Sequence, residues 1–142
     1  MSLKKRIYIS AALIAFVVSA ASLIFFRASQ RAANSNEPIV ITYPEANSEI
    51  ISPLTVRGRA RGNWFFEASF PLVLTDWDGK IIAQSYAKAE GEWMTTDFVP
   101  FSGTLTFEKP SYGVRGFLIV KKDNPSGLLE HDDSREIPVI FK

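Results

Sequence analysis

The residues of this 142-residue chain best arranged for chemistry are three aromatic rings beside one carboxylate, Trp64-Phe65-Phe66-Glu67, with Arg61 just ahead of them. Rings displayed on a loop stack on sugar or peptide, and a carboxylate near a guanidinium fixes a ligand's polar groups. The same residues can instead plug one end of a fold, with Glu67 accepting hydrogen bonds from loop amides or pairing with an arginine. The segment is short, and aromatic rings belong most often to cores, which favours the plug. Solvent exposure of Trp64, Phe65 and Phe66 decides between the two.

Other constellations are weaker. Arg57, Arg59 and Arg61 form a cationic row, spaced roughly 6.6 to 6.8 Å along a strand. It could face an anionic envelope polymer or lipid headgroups, but the surrounding acids favour a solvated, ion-paired face. Asp76-Trp77-Asp78-Gly79, with Asp123, Glu130, Asp132 and Asp133, raises calcium, since hard cations want several oxygen ligands. Leu74 stands where an EF-hand would place another acid, and no ligand loop of that kind follows. His131 is the single histidine, and no nucleophile turn accompanies it. Pairs such as Glu67 with Glu90 or Glu92 are no more than any acidic protein offers a glycosidase reading. The expectation is a protein without catalytic residues, cofactor or metal. Cysteine is absent, so disulfides, thiolate metal sites and cysteine nucleophiles are excluded.

Strands must position these groups. From Pro38 onward Val, Ile, Thr, Phe and Tyr recur between closely spaced breakers, with no long amphipathic helical pattern. Ile39, Ile41 and Tyr43 alternate with Val40 and Thr42 in a first strand, stopped by Pro44 and the polar run Glu45 to Glu49. Next, Leu54, Val56, Gly58 and Ala60 share one face while Thr55, Arg57, Arg59 and Arg61 share the other. A slip of one residue would bury three guanidinium groups, so this register is well specified. Phe70, Leu72 and Leu74 give the core face of a third strand, in which Pro71 predicts an edge or bulge. Asp78-Gly79 then suits a tight turn into Lys80 to Tyr86. Phe101, Gly103, Leu105 and Phe107 predict another inward face. The continuous run Phe117 to Val120 predicts a central strand covered on both sides, and Ile137, Val139 and Phe141 a last strand with an edge-like Pro138. The fold class expected is all-β, an immunoglobulin-like antiparallel sandwich of about seven strands.

Ahead of it, Ile7 to Phe26 contains no charged residue, which is long enough to cross a hydrocarbon core about 30 Å thick. Lys4, Lys5 and Arg6 with the small residues Ser19, Ala20 and Ala21 also fit a cleavable signal. The apolar run nevertheless continues to Phe26 and stops at Arg27, past the roughly 7 to 15 residues of a signal core, so an uncleaved anchor is predicted. The organisation expected is a short cytoplasmic tail (1–6), a transmembrane helix (7–26), a polar tether (27–37) and one domain (38–142), with the domain outside the cytoplasm. Residues 1–37 carry five Lys or Arg against one acid, and residues 38–142 carry eleven against fourteen. A near-neutral domain of this kind gives no basic footprint for nucleic acid.

Ser52-Pro53-Leu54-Thr55-Val56-Arg57-Gly58-Arg59-Ala60, Phe66-Glu67-Ala68-Ser69-Phe70-Pro71, Asp78-Gly79 and Ile137-Pro138-Val139 together resemble the Gmad2 family, the immunoglobulin-like domain of bacterial spore germination proteins. The resemblance implies a β-sandwich in an exported or membrane-anchored bacterial protein, and it carries no catalytic residues. The function expected is a non-catalytic binding or assembly module of the cell envelope. Its partner would be another envelope protein or a cell-wall glycan or peptide, and a germination-related accessory role is the further alternative.

Overall fold

The computed structural model describes residues 37–142. The anchor read over residues 7–26, and all but the last residue of the tether, lie outside them. Among the described residues no helix is long and apolar enough to cross a membrane.

Eight strands form one curled sheet: β1 (Ile39–Tyr43), β2 (Ser48–Ile50), β3 (Leu54–Arg61), β4 (Ser69–Asp76), β5 (Ile81–Ala89), β6 (Phe98–Leu105), β7 (Arg115–Lys121) and β8 (Ser134–Phe141). Their spatial order is β1-β3-β6-β5-β4-β7-β8-β2. All neighbours are antiparallel except β2 and β8, which run parallel. The sheet folds over on itself, so its two edges deliver Ile39 and Ile50 to the same core. β5 joins the layers, pairing along β4 and, through Ala87 to Ala89, with β6.

The alternation in β3 is realised as read. Leu54, Val56 and Ala60 are buried, whereas Arg57 is exposed and Arg59 and Arg61 are half-exposed. Gly58 lies opposite Phe101, and a Cβ there would run into the Val40 carbonyl and the Phe101 ring. Phe70, Leu72 and Leu74 meet Phe101, Leu105, Leu118, Val120, Val139 and Phe141 between the layers. Each such side chain, removed from water, contributes about 1.5 to 3 kcal/mol.

Four expectations are corrected. There are eight strands, because Ser48-Glu49-Ile50, within and just after the polar run read as a break, pairs with Val139 to Phe141. Pro71 and Pro138 are not on edge strands, since β4 lies between β5 and β7, and β8 between β7 and β2. Each proline instead stands one residue outside its strand's second ladder, which begins at Leu72 and at Val139, so neither ladder loses a donor. Finally, β7 is central but not covered on both faces. Gly116, Leu118 and Val120 are buried, while Phe117 and Ile119 point outward and remain half-exposed.

Candidate functional site

The loop between β3 and β4 is where the sequence placed its ring cluster. Gly62–Trp64 make one turn of 3₁₀ helix, entered so tightly that a Cβ on Gly62 would strike the Thr95 and Trp93 carbonyls. This close approach turns Trp64 and Phe65 inward, leaving them only 1% and 4% exposed. Trp64 meets Phe70 edge-on at 6.4 Å, Phe65 packs on Phe70 at 5.1 Å, and Phe70 continues the stack to Phe101 at 4.8 Å. The Arg135 guanidinium covers Trp64, 5.7 Å from its ring centroid. That guanidinium is held by Glu37 at 2.8 Å and Asp133 at 2.6 Å. Burial lowers the pKa of Arg135, but the two carboxylates outweigh this and raise it above the ordinary value.

Arg61 leaves the loop in another direction. It lies over Phe98, 4.0 Å from the ring centroid, and donates to the Thr96 carbonyl. Phe66 is the exposed ring of the three. Phe66 and Ser69 exchange both backbone hydrogen bonds, and Glu67 and Ala68 between them have φ of 48° and 60°. These are the signs of a two-residue hairpin turn of the primed type, whose mirror-image backbone usually calls for Asn-Gly. The structure therefore does not bring Arg61, Trp64, Phe65, Phe66 and Glu67 onto one surface. Two rings are core, one cation is stacked elsewhere, and the carboxylate sits at a turn tip.

The apolar surface lies elsewhere. On the outward side of β7 and β8, Phe117 pairs with Pro138 and Arg115 with Ile140. With Trp77 and Val114, 62% and 52% exposed, these residues line an open groove of about 680 Å³. A second groove of similar volume crosses β3, β6 and β5 on the other layer. It is polar, with Arg57, Lys88 and Glu90 around the exposed Tyr86.

A family model described as the immunoglobulin-like domain of bacterial spore germination, Gmad2, matches residues 38–127. The chain belongs to the Gmad2 family. No curated protein and no solved structure matches it.

In this Gmad2 domain the acid that organises its surroundings is Asp76. Its Oδ1 accepts from the Asp78 and Lys80 amides at 3.0 and 2.8 Å, and its Oδ2 accepts from the Tyr112 hydroxyl at 3.0 Å. Burial pushes the carboxyl's pKa up, but the Lys80, Tyr112 and Asp78 donors outweigh it and hold it below the ordinary 3.8. Its oxygens are thus spent on the turn that carries Trp77. Among the described residues no group of three or more His, Cys, Asp or Glu is placed to hold a metal ion.

The Gmad2 domain's only histidine meets a serine: the Ser126 hydroxyl is 3.1 Å from His131 Nδ1, and His131 Nε2 is 3.7 Å from Glu130. The hydroxyl proton, however, goes to Asn124 Oδ1, and the Leu128 amide donates to the same hydroxyl. Asn124 in turn donates to Leu128 O and Asp132. All of this lies on an exposed loop, so the arrangement staples the loop and gives serine no activated oxygen.

Sequence reasoning missed the Trp77–Ile140 face. Its signal was present in the apolar residues Phe117, Ile119 and Ile140 at alternate positions of two adjacent strands, but an unbroken apolar run reads as burial on both sides.

Proposed function

We propose that this Gmad2 protein is a single-pass membrane protein whose immunoglobulin-like domain works outside the cytoplasm as a non-catalytic assembly module of the cell envelope. The observation that carries the reading is the outward apolar groove of Trp77, Val114, Phe117, Pro138 and Ile140. Aromatic and aliphatic side chains left in water on a stable sheet are the usual mark of a protein-binding surface. The uncharged stretch from Ile7 to Phe26 supports the anchor, and the stapling of Ser126 and His131 supports a non-catalytic role. An accessory part in spore germination is the process the family's description suggests.

Two measurements test it. A reporter fused after Lys142 is expected to be active outside the cytoplasm; activity only inside rejects the topology. Envelope proteins cross-linked to the wild-type chain are expected to be lost from Phe117→Asp and kept in Phe66→Ala. Equal recovery from both variants rejects the face.

Capture of a wall glycan or peptide is the second reading, and it is favoured by the polar groove around Tyr86 rather than by Trp64 and Phe65, which are buried. Binding of purified cell wall that falls in Tyr86→Ala and survives Phe117→Asp would select it.

A further inference from the structure

We propose that the occupant of the Trp77–Ile140 face is a second copy of this chain, and the proposal rests on that face being the assembly surface. The argument comes from its charges: Arg115 and Glu136 flank the centre of this face, and Lys121, exposed at the Ser134 rung beyond Ile119, is a further cation at its margin. Arg115 and Glu136 are both exposed on the outward side, and neither side chain has a hydrogen-bond or ion-pair partner among the described residues. Arg115 is in register with Ile140, Phe117 with Pro138, and Ile119 with Glu136. The basic and acidic groups therefore flank the central Phe117–Pro138 rung, about 6.6 to 6.8 Å to either side along the strands.

Two such faces stacked about a two-fold axis that lies across the strands at this rung exchange their ends. The Arg115 end of each copy then comes over the Ile119–Glu136 end of the other. Two Arg115–Glu136 contacts form at once, and Ile119 of each copy meets the groove beside Trp77 and Val114 in its mate. An isologous interface needs this self-complementarity, a patch that carries both partners of every contact. Arg115 and Glu136 are the pair of opposite charges that stand at matching distances from the Phe117–Pro138 centre, which is what a second copy of the same face complements. The anchor, if present in both copies, would add a high local concentration in the membrane plane.

The experiment uses the full chain in detergent micelles, with self-association read by sedimentation equilibrium. Arg115→Glu and Glu136→Arg are each expected to weaken association at least tenfold, because each leaves two like-charge contacts. An equal mixture of the two variants is expected to associate as the wild type does, since one copy is then all acidic and the other all basic at these positions. The chain has no cysteine, so Phe117→Cys, on the axis, is expected to form a disulfide-linked dimer on oxidation, whereas Thr104→Cys on the other layer is not. Association unchanged by both charge reversals, or no rescue on mixing, overturns the proposal. So does a monomeric wild type that still captures another envelope protein through Phe117, and in that case the assembly reading stands. If neither self-association nor capture responds to Phe117→Asp, both fall.

Discussion

The two ends of β4 carry the same ingredients in opposite arrangement. At its start, Trp64-Phe65-Phe66-Glu67 buries two rings and leaves the acid at an exposed turn tip; at its end, Asp76-Trp77 buries the acid and leaves the ring in water. Composition is nearly the same, so what differs is the backbone. The first segment crosses from one layer to the other over the open end of the sandwich, and side chains there fall into the core. The second is a tight hairpin within one layer, where a carboxylate has turn amides to bind and a ring has nothing to pack beneath.

The largest test of the contrast is to truncate both rings. Trp64→Ala should cost about 3 to 5 kcal/mol, since it empties a buried site beside Phe70. Trp77→Ala should stay within about 0.5 kcal/mol, as expected for an exposed side chain, while weakening whatever the groove binds. Urea midpoints of the two variants check this; equal losses would erase the distinction.

A second test addresses the acids. If Glu67 is only a turn residue, replacing Glu67-Ala68 with Asn-Gly should stabilise the domain by about 1 kcal/mol. The left-handed backbone costs roughly 1 to 2 kcal/mol for an ordinary residue, and glycine gives part of that back as unfolded-state freedom. A fall in thermal midpoint would give the Glu67 carboxylate a role that the turn geometry does not. Smaller again is Arg61→Ala, which removes the contact over Phe98 and should cost about 0.5 to 1 kcal/mol with no effect on envelope capture.

These contrasts also mark how far the sequence could be read. Strands β3 and β6 were legible because period-two alternation with arginine or threonine outside admits one register. The immunoglobulin-like class followed from strand count and spacing. Strand β2 was not legible: three residues beginning Ser48-Glu49 carry no periodicity, and they pair only because β8 offers a free ladder. Pro71 and Pro138 misled because a missing donor shows in the sequence, whereas the point at which a neighbouring ladder begins does not. The burial of Trp64 and Phe65 was the favoured of two readings, but what sets their direction, Gly62 against Thr95, is a contact far along the chain and was not legible. Asp76 was legible as an acid that raised calcium and not as the anchor of its turn for the same reason, its hydroxyl partner Tyr112 lying 36 residues away.

The smallest effect is the one that isolates charge at the buried acid. Asp76→Asn keeps an oxygen for the Asp78 and Lys80 amides, and its amide group can still face the Tyr112 hydroxyl, so the shape of the turn survives. What disappears is the preference of those donors for an anion. Because the folded carboxyl sits below the ordinary 3.8, the unfolded chain takes up this proton first on acidification. The stability it contributes is therefore fully present above 3.8 and drains away as pH falls through the lower folded value. Wild type should exceed Asp76→Asn at neutral pH by a margin that closes below 3.8, as read by denaturant titration at a series of pH values. A margin that stays constant into acid would mean that the turn is held by shape alone, and the opposition between the two ends of β4 would then rest on the rings.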